Sequence, residues 1–281
     1  MIEAGAISDL LARAQQQLTD SGSARLDAEI LLSFVMNIPR ESFYAHPEDP
    51  VPPDQACDYW SLIAKRASGF PIAYLVGHKE FWSTDLTVNR HTLIPRPETE
   101  CLVETALELI PERTTLRILD LGTGSGAIAI AIARERPECS VVAVDIVMES
   151  LLVAQANARR LRLANIQFRQ SDWFSDLQNE VFDIILCNPP YVDSRYQGLM
   201  DGEIGYEPRI ALDGGHLGLE IINHLIPAST RHIRSDGYLV LEHGYDQAGN
   251  IAHLFYVNNF KDREIRRDYA GYDRVSYARL V

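Results

Sequence analysis

The sequence is short of positive charge. Its 26 lysines and arginines stand against 39 aspartates and glutamates, a formal net charge of −13. Binding to phosphate backbones needs a basic footprint, so this balance argues against a nucleic-acid-binding module and predicts no direct contact with nucleic acid. A basic protein partner or a local positive patch stays open. Cysteine is also scarce. Cys57, Cys101, Cys139 and Cys187 are far apart. No Cys-x-x-Cys or Cys/His ligand spacing occurs, so neither a metal site nor a disulfide framework is expected. Reduced thiols in a cytoplasmic protein are the default. No apolar run approaches the ~18 residues of a transmembrane helix. The start, Met1-Ile2-Glu3-Ala4, lacks the basic region and apolar core of a signal peptide. Repeats and low-complexity stretches are absent too. What is there is ordinary for a soluble globular chain: 46% hydrophobic and 23% charged residues. Its 281 residues are enough for one large domain or two smaller ones.

Three sections follow one another. Residues 1–70 read as a small helical bundle. Ile7, Leu10, Leu11, Ala14 and Leu18 recur at helical spacing, as do Leu26, Ile30, Leu31, Phe34 and Val35, with Ser23 placed as an N-cap. Pro39 and the proline-rich region 47–53 break the pattern before a further apolar face of Ala56, Tyr59, Trp60, Ile63 and Ala67. No catalytic constellation falls here; such a bundle would bind a partner or cover a site. Residues 71–96 read as a β-hairpin linker. Tyr74-Leu75-Val76, Glu80-Phe81-Trp82 and the stretch from Asp85 to Val88 have strand character, divided by Gly77 and a polar turn. Residues 97–281 alternate strand and helix. Strands are expected at 116–121, 141–145, 166–169, 182–187 and 238–242, and helices from about Glu98 and at 127–136, 150–161, 217–233 and 247–257. This alternation predicts a mostly parallel sheet covered on both faces, with a final antiparallel pair at 264–267 and 275–280.

The run from Ile118 to Ala127, Ile-Leu-Asp-Leu-Gly-Thr-Gly-Ser-Gly-Ala, is a strand entering a glycine-rich turn and then a helix. Glycine lets a backbone turn tightly and approach a ligand closely. The helix start offers free N–H groups. Gly122, Thr123, Gly124, Ser125 and Gly126 are therefore candidates for binding a cofactor. Gly122, Gly124 and Ala127 also fit the dinucleotide pattern, so the loop alone does not separate a nicotinamide cofactor from S-adenosylmethionine. Asp145 ends the next strand, where a carboxylate can accept both ribose hydroxyls of an adenosine or cap the following helix. Asp172-Trp173 follows the third strand. Trp173 would offer a flat face to an adenine, with core packing as the rival reading.

The most informative stretch is Asn188-Pro189-Pro190-Tyr191. It follows the apolar run from Phe182 to Cys187, so Asn188 ends a buried strand, where open α/β sheets bind ligands. Two prolines remove two backbone donors and fix φ, so the nearby carbonyls have nothing local to bond. Asn188 and the Pro189 carbonyl then form a cluster of acceptors, with Pro190 and Tyr191 alongside. Such a cluster suits an amino group with two N–H bonds on a planar π-system, such as an amide or an exocyclic base amine. The bland alternative is a strand-ending turn. Hydride transfer would have no use for this loop, and its one acid–base candidate, His243, sits where histidines are mostly structural. Methyl transfer to a weakly nucleophilic nitrogen does use it.

Taken together, the chain closely resembles the release factor glutamine methyltransferase family (HemK/PrmC type) over essentially its whole length. The resemblance rests on the glycine loop and on Asn188–Tyr191. It rests also on Gly-His-Lys-Glu-Phe-Trp at 77–82, Leu-Ile-Pro-Arg-Pro-Glu-Thr-Glu at 93–100 and Glu-Pro-Arg-Ile-Ala-Leu-Asp-Gly-Gly at 207–215. The glycine loop is common to class I methyltransferases, and Asn-Pro-Pro-Tyr to amino-group methyltransferases, including DNA adenine enzymes. The other two segments, in that order, are more specific. The resemblance implies a Rossmann-like, seven-stranded, mostly parallel α/β methyltransferase domain over 97–281. The helical bundle at 1–70 would dock the partner. It implies transfer of a methyl group from S-adenosylmethionine to the side-chain amide nitrogen of the glutamine in the Gly-Gly-Gln loop of class-1 peptide chain release factors. Residues 122–126, Asp145, Trp173 and Asn188 would contact the cofactor, and Asn188, Pro189, Pro190 and Tyr191 the glutamine. Arg96 and Glu98 would help close the site or serve as salt bridges. The rivals are a glutamine methyltransferase of a ribosomal protein, a nucleic-acid adenine amino methyltransferase, a non-catalytic cofactor-binding protein and a nicotinamide dehydrogenase.

Overall fold

A computed structural model of the chain describes residues 5–19 and 21–281. The described residues up to Gly77 form one compact unit with Met200–Tyr206, and His78–Leu199 with Glu207–Val281 form another.

The first unit is helical: α1 (Ile7–Gln17), α2 (Ala24–Met36), the single turn α3 (Ser42–Ala45), α4 (Pro53–Ala67) and α5 (Ile72–Val76). Positions three and four apart share a helix face. Leu10, Leu11 and Ala14 of α1 therefore meet Ala28, Leu31 and Leu32 of α2 and Ala56, Tyr59 and Ile63 of α4 in one core. Ser23 does stand at the N-cap of α2, but its hydroxyl donates to Asp27 Oδ1 (2.9 Å) instead of receiving a backbone N–H. A larger difference is the stretch Tyr74-Leu75-Val76, expected as a strand. It is the body of α5. Pro71 presets the entry with φ −60°, and Gly77, at φ 80°, ends the helix in the left-handed region. A short apolar run carries no periodicity, so these two breakers decide its conformation.

The second unit opens with a hairpin, β1 (His78–Phe81) and β2 (Thr84–Thr87). Expected as a linker, it is instead bound to the rest of its unit. The buried Asn157 side chain accepts from Thr87 N (2.8 Å) and donates to Thr87 O and Ser125 O (both 3.0 Å). Trp82 N donates to Glu100 (2.9 Å). Seven strands follow: β3 (Arg117–Leu121), β4 (Ser140–Asp145), β5 (Ile166–Gln170), β6 (Phe182–Cys187), β7 (Ile233–Glu242), β8 (Phe260–Arg267) and β9 (Asp273–Leu280). Their spatial order is β5-β4-β3-β6-β7-β9-β8, parallel up to β7, with β9 antiparallel to both neighbours. The helices are α6 (Glu100–Leu109), α7 (Ala127–Glu135), α8 (Met148–Arg160), α9 (Glu220–Ser229) and α10 (Ala248–Val257).

Strand residues alternate sides, and here both sides are buried. Ile118, Val141, Ala143, Ile184, Leu186 and Val240 join one core with residues of α6 and α7. Leu119, Leu121, Val142, Ile185, Cys187 and Leu241 join the other with residues of α9 and α10. Burying each such aliphatic side chain contributes about 1.5–3 kcal/mol. The helix expected over 217–233 starts later, at Glu220, because Leu217 takes φ 57° in a 3-10 turn. The strand order runs outward in opposite directions from β3 and β6, so the sheet's switch point lies between them.

Candidate active site

Leu121 pairs with Cys187 and with Val144. The residues that follow these three, Gly122, Asn188 and Asp145, therefore leave the sheet side by side at its switch point. Gly122, Gly124 and Gly126 all have positive φ (71°, 56° and 87°). At Gly126 a Cβ would also sit 3.0 Å from Ile130 Cδ1 and 3.1 Å from Ala154 Cβ. Behind the loop lies Asp120, fully buried. Its Oδ2 accepts from the Thr123 hydroxyl (2.6 Å) and from Ala129 N (3.2 Å), while Oδ1 has no partner. Burial pushes its pKa up to about 7, against those two hydrogen bonds. Asp145 holds the loop's other side. Its Oδ2 accepts from Gly124 N (2.8 Å) and its Oδ1 from Val147 N (2.9 Å). Burial raises its pKa too, opposed by these amides. Each oxygen keeps a lone pair.

These strand ends floor a cleft of about 570 Å³. Gly122, Gly124, Asp145, Asp172, Trp173, Asn188 and Pro190 line it. Thr123, Ser125 and Gly126 do not; they shape the loop from behind. Pro189 is buried, and Tyr191 packs into the core on the α9 side, so neither lines the cleft. Trp173 has the core packing of one reading and a place in the cleft wall. It packs against the same core and faces the cleft, its ring 3.7 Å from where a Gly122 Cβ would stand. The facing wall is Pro208, Arg209, Ile210 and Ala211. It is tied to the segment before α6 by Glu207, whose buried side chain accepts from Ile94 N (3.0 Å) and pairs with Arg96. Glu98 is exposed. A separate cavity of about 470 Å³ lies in the helical unit. The arginine lining it, Arg66, is already paired with Asp27 (2.7 Å) and Glu203 (2.5 Å), which leaves little charge for a ligand.

Asn188 donates from Nδ2 to Thr99 Oγ1 (3.1 Å). Its Oδ1 and the Pro189 carbonyl accept no hydrogen bond among the described residues. The Tyr191 hydroxyl donates to Glu242 Oε1 (3.0 Å), and its carbonyl accepts from Gln247 Nε2 (3.0 Å). Burial, then the Glu242 charge, raises the Tyr191 pKa. Glu242 itself ends β7 with no exposure, and its Oε2 makes no hydrogen bond of regular geometry. Burial pushes its pKa up to about 7, opposed by the Thr99 and Tyr191 hydroxyls and by Arg274. His243 is structural. A carbonyl can only accept, so Nδ1 donates to Gly244 O (2.8 Å) and Nε2 accepts from Ser276 Oγ (2.8 Å). Thr99 and Glu242 also stand at this strand end, and the one sequence signal for either is a carboxylate ending an apolar strand.

A sheet with this order, a glycine turn after its first parallel strand and a cleft at the switch point define a class I, Rossmann-like methyltransferase. A methyltransferase from Pyrococcus furiosus shares the fold, at TM-score 0.52 and 19% identity, over 70% of this chain and 88% of that one. Residues 9–77 match the family model described as the PrmC N-terminal domain, and residues 99–201 the methyltransferase small domain. The release factor glutamine methyltransferase of Salmonella typhimurium is 44% identical over 271 residues, 96% of this chain and 98% of that protein. Its Pseudomonas aeruginosa counterpart is 45% identical over 260 residues, 92% of this chain and 94% of that protein. The chain belongs to the release factor glutamine methyltransferase family, and it is a methyltransferase, as its resemblance led us to expect. Among the described residues no helix is long and apolar enough to cross a membrane.

Proposed function

We propose that the chain transfers a methyl group from S-adenosylmethionine to the side-chain amide nitrogen (N5) of the glutamine in the Gly-Gly-Gln loop of class-1 peptide chain release factors. The observation that carries this reading is Asn188 Oδ1, an acceptor without a partner in the cleft wall; the Pro189 carbonyl beside it in the chain is also unbonded, although Pro189 is buried and does not itself line the cleft. Asn188 Nδ2 is held back by Thr99. A primary carboxamide presents two N–H groups from one planar nitrogen, and two fixed acceptors match them.

The cleft residues fit the cofactor. Gly122 and Gly124 let a ligand approach the backbone without meeting a Cβ. Asp145 keeps lone pairs for ribose hydroxyls at the end of β4, and Trp173 offers a ring face. Asp145, Asp172 and Asp213 line the cleft against one arginine, Arg209, a balance suited to a cationic ligand. When bound, S-adenosylmethionine supplies a methyl carbon that bonds to the amide nitrogen as its bond to sulfur breaks, the electron pair leaving with sulfur.

An amide nitrogen is a poor nucleophile because its lone pair is delocalised, so the protein must work by orientation and electrostatics. Asn188 and Pro189 would accept both N–H bonds, fix the direction of the nitrogen lone pair and favour positive charge on nitrogen as it is methylated. Pro190 would touch the amide at the cleft surface, and Tyr191 would brace the loop from behind. The proton can leave to water afterwards, so no general base is needed. The helical unit would dock the release factor, and the place of action would be the cytoplasm.

The test is incubation with radiolabelled S-adenosylmethionine and a purified release factor, followed by mass mapping of the label. Label on the Gly-Gly-Gln glutamine is expected. Label on a ribosomal protein or on nucleic acid, with none on the release factor, would overturn the assignment.

A further inference from the structure

We propose that Gln247 is a positioning residue: its side-chain amide holds the Tyr191 carbonyl and, through the two stiff prolines before it, sets where Asn188 points. This rests on the reading of Asn188 as the acceptor for the substrate amide.

Residues 188–191 have little of their own to hold them. Pro189 and Pro190 carry no N–H, and among the described residues no backbone–backbone hydrogen bond of a loop or turn involves this stretch. The next such bonds are at Val192, whose N donates to Leu212 O (3.0 Å) and whose O accepts from Gly214 N (2.9 Å). The Tyr191 carbonyl is held by a side chain instead. Gln247, 5% exposed, stands at the N-cap of α10. Its Nε2 donates to Tyr191 O (3.0 Å), Leu217 O (3.1 Å) and Gly218 O (3.3 Å), and its Oε1 accepts from Gly244 N (2.8 Å). Two amide protons are shared among three carbonyls, so the donor is fully used. One buried side chain thus joins the end of β6, the turn before α9 and the turn after β7.

The turn before α9 is built to come close. Gly218 has φ 67°, and a Cβ there would overlap the Tyr191 carbonyl. A Cβ at Gly214 would stand 2.6 Å from Pro190 O. These two glycines form a stop against which Gln247 pulls the Tyr191 carbonyl. Leu217 takes φ 57°, a conformation that costs free energy in a residue with a side chain, and its carbonyl is one of the three that Gln247 binds.

Each proline fixes φ, so a shift at Tyr191 is carried to Asn188 rather than absorbed between them. The Asn188 side chain has one hydrogen bond of its own, to Thr99 (3.1 Å). Displacing Asn188 misaligns its bond to the substrate amide, and misplacement by about 1 Å can cost on the order of 10²-fold in rate. Gln247 does not line the cleft, so it acts only through this contact. None of its four bonds goes to the glycine loop, Asp145 or Trp173, so cofactor binding should be spared.

The experiment compares wild type with Gln247→Met and Gln247→Glu, assayed with S-adenosylmethionine and release factor. Methionine keeps the volume and removes all four bonds. Glutamate, assayed at alkaline pH so that it is ionised, keeps the bond from Gly244 N and sets an oxygen against the three carbonyls. Both should lower kcat roughly tenfold or more. KM for the release factor and calorimetric affinity for S-adenosylmethionine should stay within about twofold of wild type. The Asn188 side-chain amide NMR signal of the ligand-free protein should shift in both. Wild-type kcat in either variant would overturn the proposal, as would an unmoved Asn188 signal, or cofactor affinity falling in parallel with kcat. If one variant does not fold, the other decides alone. The NMR readout needs no substrate, so a wild type that methylates no release factor would defeat the functional reading while this signal still tests the hold on Asn188.

Discussion

At the residue scale, two side chains at the ends of the strands that flank β3 would do different work, and their variants should separate. In the proposed reaction Asn188 would aim the substrate nitrogen. Asn188→Ala should lower turnover by ~10²-fold or more, since a few kcal/mol of lost orientation appear in the rate. Cofactor affinity should stay near wild type. Single-turnover rates near normal would remove Asn188 from this role. Asp145 would instead serve the cofactor side. Asp145→Ala leaves Gly124 N and Val147 N without acceptors and removes the proposed ribose contact. S-adenosylmethionine affinity should fall roughly tenfold or more. Calorimetry that finds the affinity unchanged would take Asp145 out of the cofactor site.

At the scale of elements, one buried amide joins three. Asn157 on α8 bonds both backbone groups of Thr87 on β2 and the Ser125 carbonyl in the glycine loop. Asn157→Ala leaves one buried donor and two acceptors unpaired, which should cost about 2–3 kcal/mol. The hairpin should loosen first, seen as faster hydrogen exchange at Thr87 N–H. Unchanged protection there would mean that the hairpin is held by other contacts. Glu207 has a comparable role on the opposite wall, where it alone accepts from Ile94 N and pairs with Arg96.

At the scale of the whole molecule, the buried acids set a pH dependence. Asp120 and Glu242 are both pushed up to about 7 from ordinary values of 3.8 and 4.5, chiefly by burial. The folded chain therefore holds these protons more tightly than the unfolded chain. Their contribution to stability is complete below those ordinary values and is lost as pH rises through about 7, on the order of 3 kcal/mol for each. The melting temperature should fall between about pH 5 and about pH 8 and fall less in Asp120→Asn. A variant as steep as wild type would mean that Asp120 is not the group responsible.

Much of this was legible in the chain itself. Alternating apolar strands and amphipathic helices announced a doubly covered parallel sheet, because periodicity records which face is buried. The glycine turn and Asn188–Tyr191 announced a site, because few other residues permit those backbone conformations. The strand–helix choice at 74–76 was not legible, since a short apolar run fits either. Nor was the division of labour within the motifs, in which Gly122, Gly124, Asn188 and Pro190 meet the cleft while Thr123, Ser125, Gly126 and Tyr191 stand behind. That depends on register across β3, β4 and β6. The bond from Ile94 N to Glu207, which ties one wall of the cleft, joins residues 113 positions apart. Local sequence determines which conformations and chemical groups are available; only the packing of strands distant in the chain decides which of those groups meet, and which are stripped of water so that their charges matter.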